Sequence, residues 1–270
     1  MNGKAMIGAE NTMQDCVVDT ARKNINSYSG NGSEVALEKT IGKAGVFEGR
    51  NISTQKEAEQ AFPYPIEKPS LALRLIEITV ALIALTIGLP LMLFVAIVIV
   101  LDSRGPVLFV QKRVSAGTKL FRFTKFRTMY VDARERFPEW YAYKYDDKEL
   151  QDLYFKVKED PRITRQGRWL RKSTLDELPN FWCLLTGEMA LVGPRPEIPE
   201  MLPYYKGEML KKFTVRPGIT GLAQVSGRGR LGFYETVDLD VEYVEKRSLM
   251  FDIKIVLLTV KGVIFRHGAF

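Results

Sequence analysis

The sequence predicts an α+β chain, mostly helical, with one N-terminal membrane helix, a small β-hairpin and interfacial amphipathic helices. Three observations lead there. Residues Ile78–Leu101 carry no charge. Two β-prone runs, VLFVQKRV and KLFRFTKF, flank the short stretch Ser115–Thr118. Residues 132–158 and Leu249–Phe265 mix apolar and aromatic residues with charges, as helices half in water do.

In chain order, residues 1–68 come first, rich in Gly, Asn, Ser, Lys and Glu. So few bulky apolar residues cannot offset the entropy of ordering, and a disordered polar tail is expected. Pro63, Pro65 and Pro69 mark its end. Residues 69–101 form the membrane helix. The 24 uncharged residues Ile78–Leu101 would reach about 36 Å, enough for a hydrocarbon core of about 30 Å. Two readings stand. A spanning helix satisfies the length. A re-entrant helix also explains Pro90 in mid-segment and basic residues at both ends, Lys68 and Arg74 before, Arg104, Lys112 and Arg113 after. Residues 102–270 make the remaining domain. Its hairpin follows from β-prone runs around a Gly-containing loop. Leu249–Phe265 is interrupted by Asp252, Lys254 and Lys261, so it suits an interface or a core better than a second span.

The formal net charge of +7 points to phosphate, nucleic acid or anionic lipid as partner. A nucleic-acid role has no recognisable module behind it. Cys16 and Cys183 give no disulfide framework, and the first residues do not read as a signal peptide. The one histidine, His267, lies at the C-terminal end, and no zinc-type Cys/His spacing occurs. Gly227–Gly232 matches G-x-G-x-x-G, but Phe233–Asp240 is acidic and aromatic and does not open an apolar helix, so a dinucleotide site is not expected.

Chemistry concentrates in Ser173–Glu197, STLDELPNFWCLLTGEMALVGPRPE. Asp176 and Glu177 are adjacent carboxylates. Asp176 fits an N-cap, with Pro179 in the first turn. It equally fits a nucleophile, since a helix start favours phosphate and a carboxylate there can form an aspartyl phosphate. Around it come Lys125, Arg127, Arg162, Arg165, Arg168, Arg171, Lys172, Arg195, Arg216 and Arg228. Prolines flank Arg195 and Arg216, a stiff setting for a guanidinium fork. Acid pair, cations and bilayer together suggest phosphate chemistry on a lipid. Any metal would be Mg²⁺ on carboxylates and substrate phosphates.

From about residue 70 to 270 the chain resembles the bacterial sugar transferases, the monotopic phosphoglycosyl transferases that start exopolysaccharide, O-antigen and glycan assembly. The likeness rests on Asp102-Ser103-Arg104-Gly105-Pro106, Lys125-Phe126-Arg127-Thr128-Met129, Asp160-Pro161-Arg162-Ile163-Thr164, Leu170-Arg171-Lys172, Leu175-Asp176-Glu177-Leu178-Pro179, Gly187-Glu188-Met189, Leu191–Pro196 and Arg216–Gly221. The resemblance implies a cytoplasmic-membrane enzyme whose catalytic domain faces the cytoplasm. Asp176 would attack the sugar-bearing phosphorus of a UDP-sugar and release UMP. A polyprenyl phosphate, such as undecaprenyl phosphate, would then take the phosphosugar. Glu177 would hold Mg²⁺, with Asp176, or act as base. Lys125, Arg127, Arg171, Arg195 and Arg216 would bind substrate phosphate, with Asp160, Arg162, Gln224 and Arg228 as further candidates. The helix would re-enter at Pro90, where Leu89 replaces the serine usual in the family. A homo-oligomer stays open. The alternatives are single displacement with the acid pair only holding metal, and a membrane-anchored nucleotide-sugar-binding scaffold without turnover.

Overall fold

A computed structural model describes residues 62–153, 160–227 and 231–264. The expected tail lies outside them up to residue 61, as do Arg228 and His267. Residues 62–68 fall within the polar tail the composition predicts, yet they pack on the domain. Phe62 and Tyr64 lie against the main core, and the Glu67 N–H donates to the Thr214 carbonyl at 2.8 Å.

Helix α1 runs over Leu71–Asp102, capped by Ser70, whose Oγ accepts the Leu73 N–H. It passes through Pro90 without ending there. The lost hydrogen bond does not stop the helix, because an apolar segment has no better partner for its backbone than its own ladder. Among the described residues it is the one helix long and apolar enough to cross a membrane. Its burial falls into three zones. Near its start Glu77 and Ala81 are buried, and Arg74 reaches carbonyls of the domain. Near its end Val95 and Ile99 pack with Phe126 and Leu170. Between them Leu82, Ile83, Ile87, Leu89, Leu93 and Phe94 are exposed.

The hairpin is present. Strand β1 (Leu108–Val114) pairs antiparallel with β2 (Leu120–Phe126), Leu108 opposite Phe126 and Val114 opposite Leu120. Gly117 and Thr118 turn the chain at positive φ, 64° and 62°. Phe121 and Phe123 of β2 face inward beside Cys183 and Met189.

Residues 132–158 do not form one amphipathic helix. They break into α2 (Ala133–Arg136), a 3-10 turn at Pro138–Tyr141 and α3 (Asp147–Gln151), with residues 154–159 outside the described set. Pro138 cannot continue α2, Tyr143 takes φ 45°, and Asp146 starts a fresh helix through a capping box with Glu149. Helix α4 (Arg165–Ser173) is capped by Thr164 and stops at Thr174. A 3-10 turn over Leu175–Asn180 leads into α5 (Phe181–Thr186).

Strands β3 (Ala190–Val192) and β4 (Gly218–Thr220) pair in parallel. The approach is close enough to require glycine. A Cβ on Gly218 would lie 2.1 Å from the Gly193 nitrogen and 2.3 Å from the Thr220 oxygen. Helices α6 (Leu222–Gly227), α7 (Phe233–Lys246) and α8 (Leu249–Ile264) complete the chain. In α8, Ile255 is buried with Val192, Val215 and Tyr243, while Met250, Ile253, Leu257 and Leu258 are exposed beside Lys254 and Lys261. Its burial is one-sided, as in an amphipathic helix. The largest core gathers Met201, Leu202, Tyr205, Phe213, Phe233 and Val237. Inside it Lys212 sits 3.4 Å from Glu197 and 3.2 Å from Asp240, and the Tyr205 hydroxyl donates to Glu197 at 2.7 Å. The cluster fixes Glu197, directly after Pro194-Arg195-Pro196.

Candidate active site

The acid pair is placed by a break in the backbone. Thr174 takes the left-handed conformation, φ 61° and ψ 11°, uncommon and strained for a β-branched residue. It swings the chain out of α4 into the 3-10 turn, which packs on β2. Asp176 and Glu177 lie inside that turn, and neither caps α5, whose N-cap is Asn180. The capping role open to Asp176 in the sequence is therefore not the one it takes.

The Asp176 carboxylate is 6% exposed. Burial first, then the charge of Glu177, pushes it up to about 6, against the pull of Lys125, Arg171 and Arg195. Arg195 Nη2 meets Glu177 Oε1 at 3.1 Å. Lys125, on β2, is partly buried, with its ammonium 5.6 Å from the Phe109 ring centre. Desolvation, then Arg171, lowers it to about 8. Arg171 donates through Nε to Thr128 Oγ1 at 3.1 Å. Behind it Asp160 takes both arms of Arg162 at 2.8 Å, and the Arg162 guanidinium lies 4.8 Å from Trp140 and 5.0 Å from Tyr141. Asp160 is 4.0 Å from Arg171. Asp160 and Arg162 therefore brace Arg171.

The structure thus brings Asp176, Glu177, Lys125, Arg171 and Arg195 together, with Asp160 and Arg162 one layer behind. Two expected phosphate binders lie elsewhere. Arg127 donates to the carbonyls of Arg104 and Ser103, at 2.9 and 2.7 Å, and clamps the exit of α1. Arg216 donates to Glu77 and to the Met189 carbonyl. The buried Glu77 carboxylate and the Met189 carbonyl need donors, and Arg216 supplies them, while Arg127 ties down the less buried carbonyls at the helix exit. Gln224 braces the turn after β4 through the Ile219 carbonyl, at 3.2 Å. Arg228 is outside the described residues.

Sequence reasoning missed Arg113 and Glu77. Arg113 on β1 donates to the Pro196 carbonyl at 3.1 Å and lies over the Phe123 ring. Nothing in KRV sets it apart from its neighbours. Glu77 did carry a sign, a carboxylate at the mouth of an apolar helix.

Known proteins resemble the chain over most of its length. A family model described as bacterial sugar transferase matches residues 69–266. Galactosyl transferase CpsE of Streptococcus agalactiae is 38% identical over 83% of this chain and 48% of its own length. The undecaprenyl-phosphate galactose phosphotransferase of Salmonella typhimurium is 38% identical over 73% of this chain and 41% of its own. The exopolysaccharide production protein ExoY of Rhizobium meliloti is 34% identical over 74% of this chain and 88% of its own. The chain thus spans under half the length of the first two and most of the third.

Proposed function

The chain belongs to the bacterial sugar transferase family, and from that premise we propose that it transfers a sugar 1-phosphate from a UDP-sugar to a polyprenyl phosphate. Relatives named for undecaprenyl-phosphate glucose and galactose transfer support the reaction class. The observation that carries the reading is Asp176, a buried carboxylate ringed by Lys125, Arg171 and Arg195. In the first step an Asp176 oxygen attacks the sugar-bearing phosphorus. The bond to the uridine-bearing phosphate breaks, and UMP leaves with the electron pair. In the second, a phosphate oxygen of the lipid attacks the same phosphorus, and the Asp176 carboxylate leaves. Lys125, Arg171 and Arg195 offset charge on the phosphoryl oxygens throughout.

The donor set fits Mg²⁺. Among the described residues no cluster of three or more His, Cys, Asp or Glu forms an all-protein cage. Mg²⁺ is instead held by one or two carboxylates with substrate phosphates, and Glu177 beside Asp176 offers these. When bound, it neutralises the diphosphate.

We take residues 69–101 as the membrane anchor and 102–270 as the catalytic domain, on the cytoplasmic face of the inner membrane. The helix is read as re-entrant because both its ends pack on the same domain, through Arg74 at one and Val95 and Ile99 at the other. Its exposed centre is then free to enter lipid. Cysteines placed at Ser70 and Ser103, with Cys16 and Cys183 replaced, should both resist an impermeant thiol reagent in intact cells. Labelling at Ser70 alone would make α1 a spanning helix.

The reading is tested by supplying polyprenyl phosphate, Mg²⁺ and a panel of UDP-sugars to the membrane-embedded protein and measuring UMP. One donor should release UMP and yield a lipid-linked phosphosugar; release from none overturns the reading. Binding of UDP-sugar without release would select the scaffold. The pH profile follows from the two shifted groups. Attack needs ionised Asp176, so the rate should rise through about pH 6. Neutralisation of Lys125 removes a cation, so it should fall through about pH 8. Single-turnover UMP release without the lipid acceptor reads both limbs, because the acceptor phosphate titrates in the same range. A flat profile from pH 5 to 9 would separate these groups from the rate.

A further inference from the structure

Glu77 is 1% exposed, yet it is the one charged residue of α1 between Arg74 and Asp102. A carboxylate so placed destabilises the fold unless fully paired. It is paired from both sides. Arg216 Nη2 donates to both its oxygens at 2.9 Å, and Arg74 Nη1 donates at 3.2 Å. Each arginine also holds the domain. Arg74 donates to the Leu184 and Leu185 carbonyls at the end of α5. Arg216 donates to the Met189 carbonyl at 3.0 Å.

From Arg216 the contacts run directly to the acid pair. The Ala190 N–H donates to the Pro217 carbonyl at 2.7 Å, and the Gly218 N–H donates to the Pro194 carbonyl at 2.9 Å. Pro194 precedes Arg195, which pairs with Glu177. We propose that Glu77 is a positioning residue: through Arg216 and the β3–β4 ladder it sets Arg195 against Glu177, so that the site is assembled only when the membrane helix is docked. The proposal rests on the transfer reading for its kinetic part alone. It assigns Arg216 to the latch rather than to substrate phosphate. It also gives the helix a second duty besides anchoring, because a simple anchor needs no buried carboxylate.

The test uses the full chain in lipid nanodiscs and compares Glu77→Gln, Arg195→Lys and the double variant with the wild type. Single-turnover UMP release separates two effects. An anchoring role alone would lower burst amplitude, the fraction of assembled enzyme, at an unchanged rate constant. Positioning should lower the rate constant about tenfold or more in Glu77→Gln at near-full amplitude, with the KM for UDP-sugar within threefold. If Glu77 acts through Arg195, the double variant should be no slower than the slower single. Multiplying effects would overturn the proposal, as would a normal rate constant. Hydrogen exchange gives a readout without turnover. The Gly193 and Gly218 amides, bonded across the ladder, should lose protection in Glu77→Gln. Unchanged protection overturns the linkage even if no UDP-sugar is turned over, and absence of UMP from the wild type sinks only the transfer reading. Should Glu77→Gln fail to insert, Arg216→Lys keeps the charge and loses the second donor, and the same rate loss is expected. Failure of both to insert would return the pair to anchoring and overturn the proposal.

Discussion

Asp176→Asn should abolish the UMP burst, lowering its rate by at least about 10³-fold, because the amide is no nucleophile where the carboxylate is. The phosphosugar adduct, sought by mass spectrometry after donor is added alone, should vanish with it. Stability should move the other way. The carboxylate is raised to about 6 by burial and by Glu177. A carboxyl group harder to ionise in the fold than in the open chain lowers stability as pH rises from its ordinary value through 6. At pH 7 the neutral amide escapes that penalty, so the thermal midpoint in detergent should hold or rise. An inactive variant that also melts early would mean Asp176 holds the fold. Retained activity within tenfold would favour single displacement, with the pair only binding metal.

Gly218→Ala is expected to be among the most damaging substitutions outside the acid pair. The new Cβ would stand 2.1 Å from the Gly193 nitrogen and 2.3 Å from the Thr220 oxygen. Both obstacles are backbone, so no side chain can rotate away. A destabilisation of about 3 kcal/mol or more is expected, beyond ordinary overpacking. The β3–β4 ladder would open and free the loop that carries Arg195. The control is Gly88→Ala in mid-helix, where a Cβ meets nothing within 4 Å and alanine is the better helix former. Thermal midpoints should separate the two clearly. Similar midpoints would show that the ladder tolerates spreading.

The parts of this fold legible in sequence were those with a local cause. The uncharged run over Ile78–Leu101 declared α1, and two β-prone runs around Ser115–Thr118 declared the hairpin, as found. The stretch 132–158 misled because charge and aromatic content alone do not make a helix. Pro138 and the Asp146 cap restart the chain, and both are local signals in the sequence. The β3–β4 pair was invisible. Each strand has three residues, too few for any period, and they meet only through tertiary packing. The site divides in the same way. Asp176 and Glu177 stood out by adjacency and family resemblance. Arg127 and Arg216 looked like phosphate ligands because a sequence shows a guanidinium but not the carbonyls and the carboxylate that claim it.

The packing of Val95 and Ile99 against Phe126 and Leu170 bears on how this chain can be made soluble. Cutting the chain ahead of residue 102 looks like removing a tether. It would strip one wall from the hydrophobic cluster under Phe126, the neighbour of Lys125 in β2, and leave a greasy wound beneath the reaction centre. One face of the last two turns, carrying Val95 and Ile99, belongs to the interior of the domain. The exposed residues of the middle, Leu82, Ile83, Ile87, Leu89, Leu93 and Phe94, are free to be redrawn, for instance as polar residues in a version meant for water, while Met92 packs on the cluster and should stay.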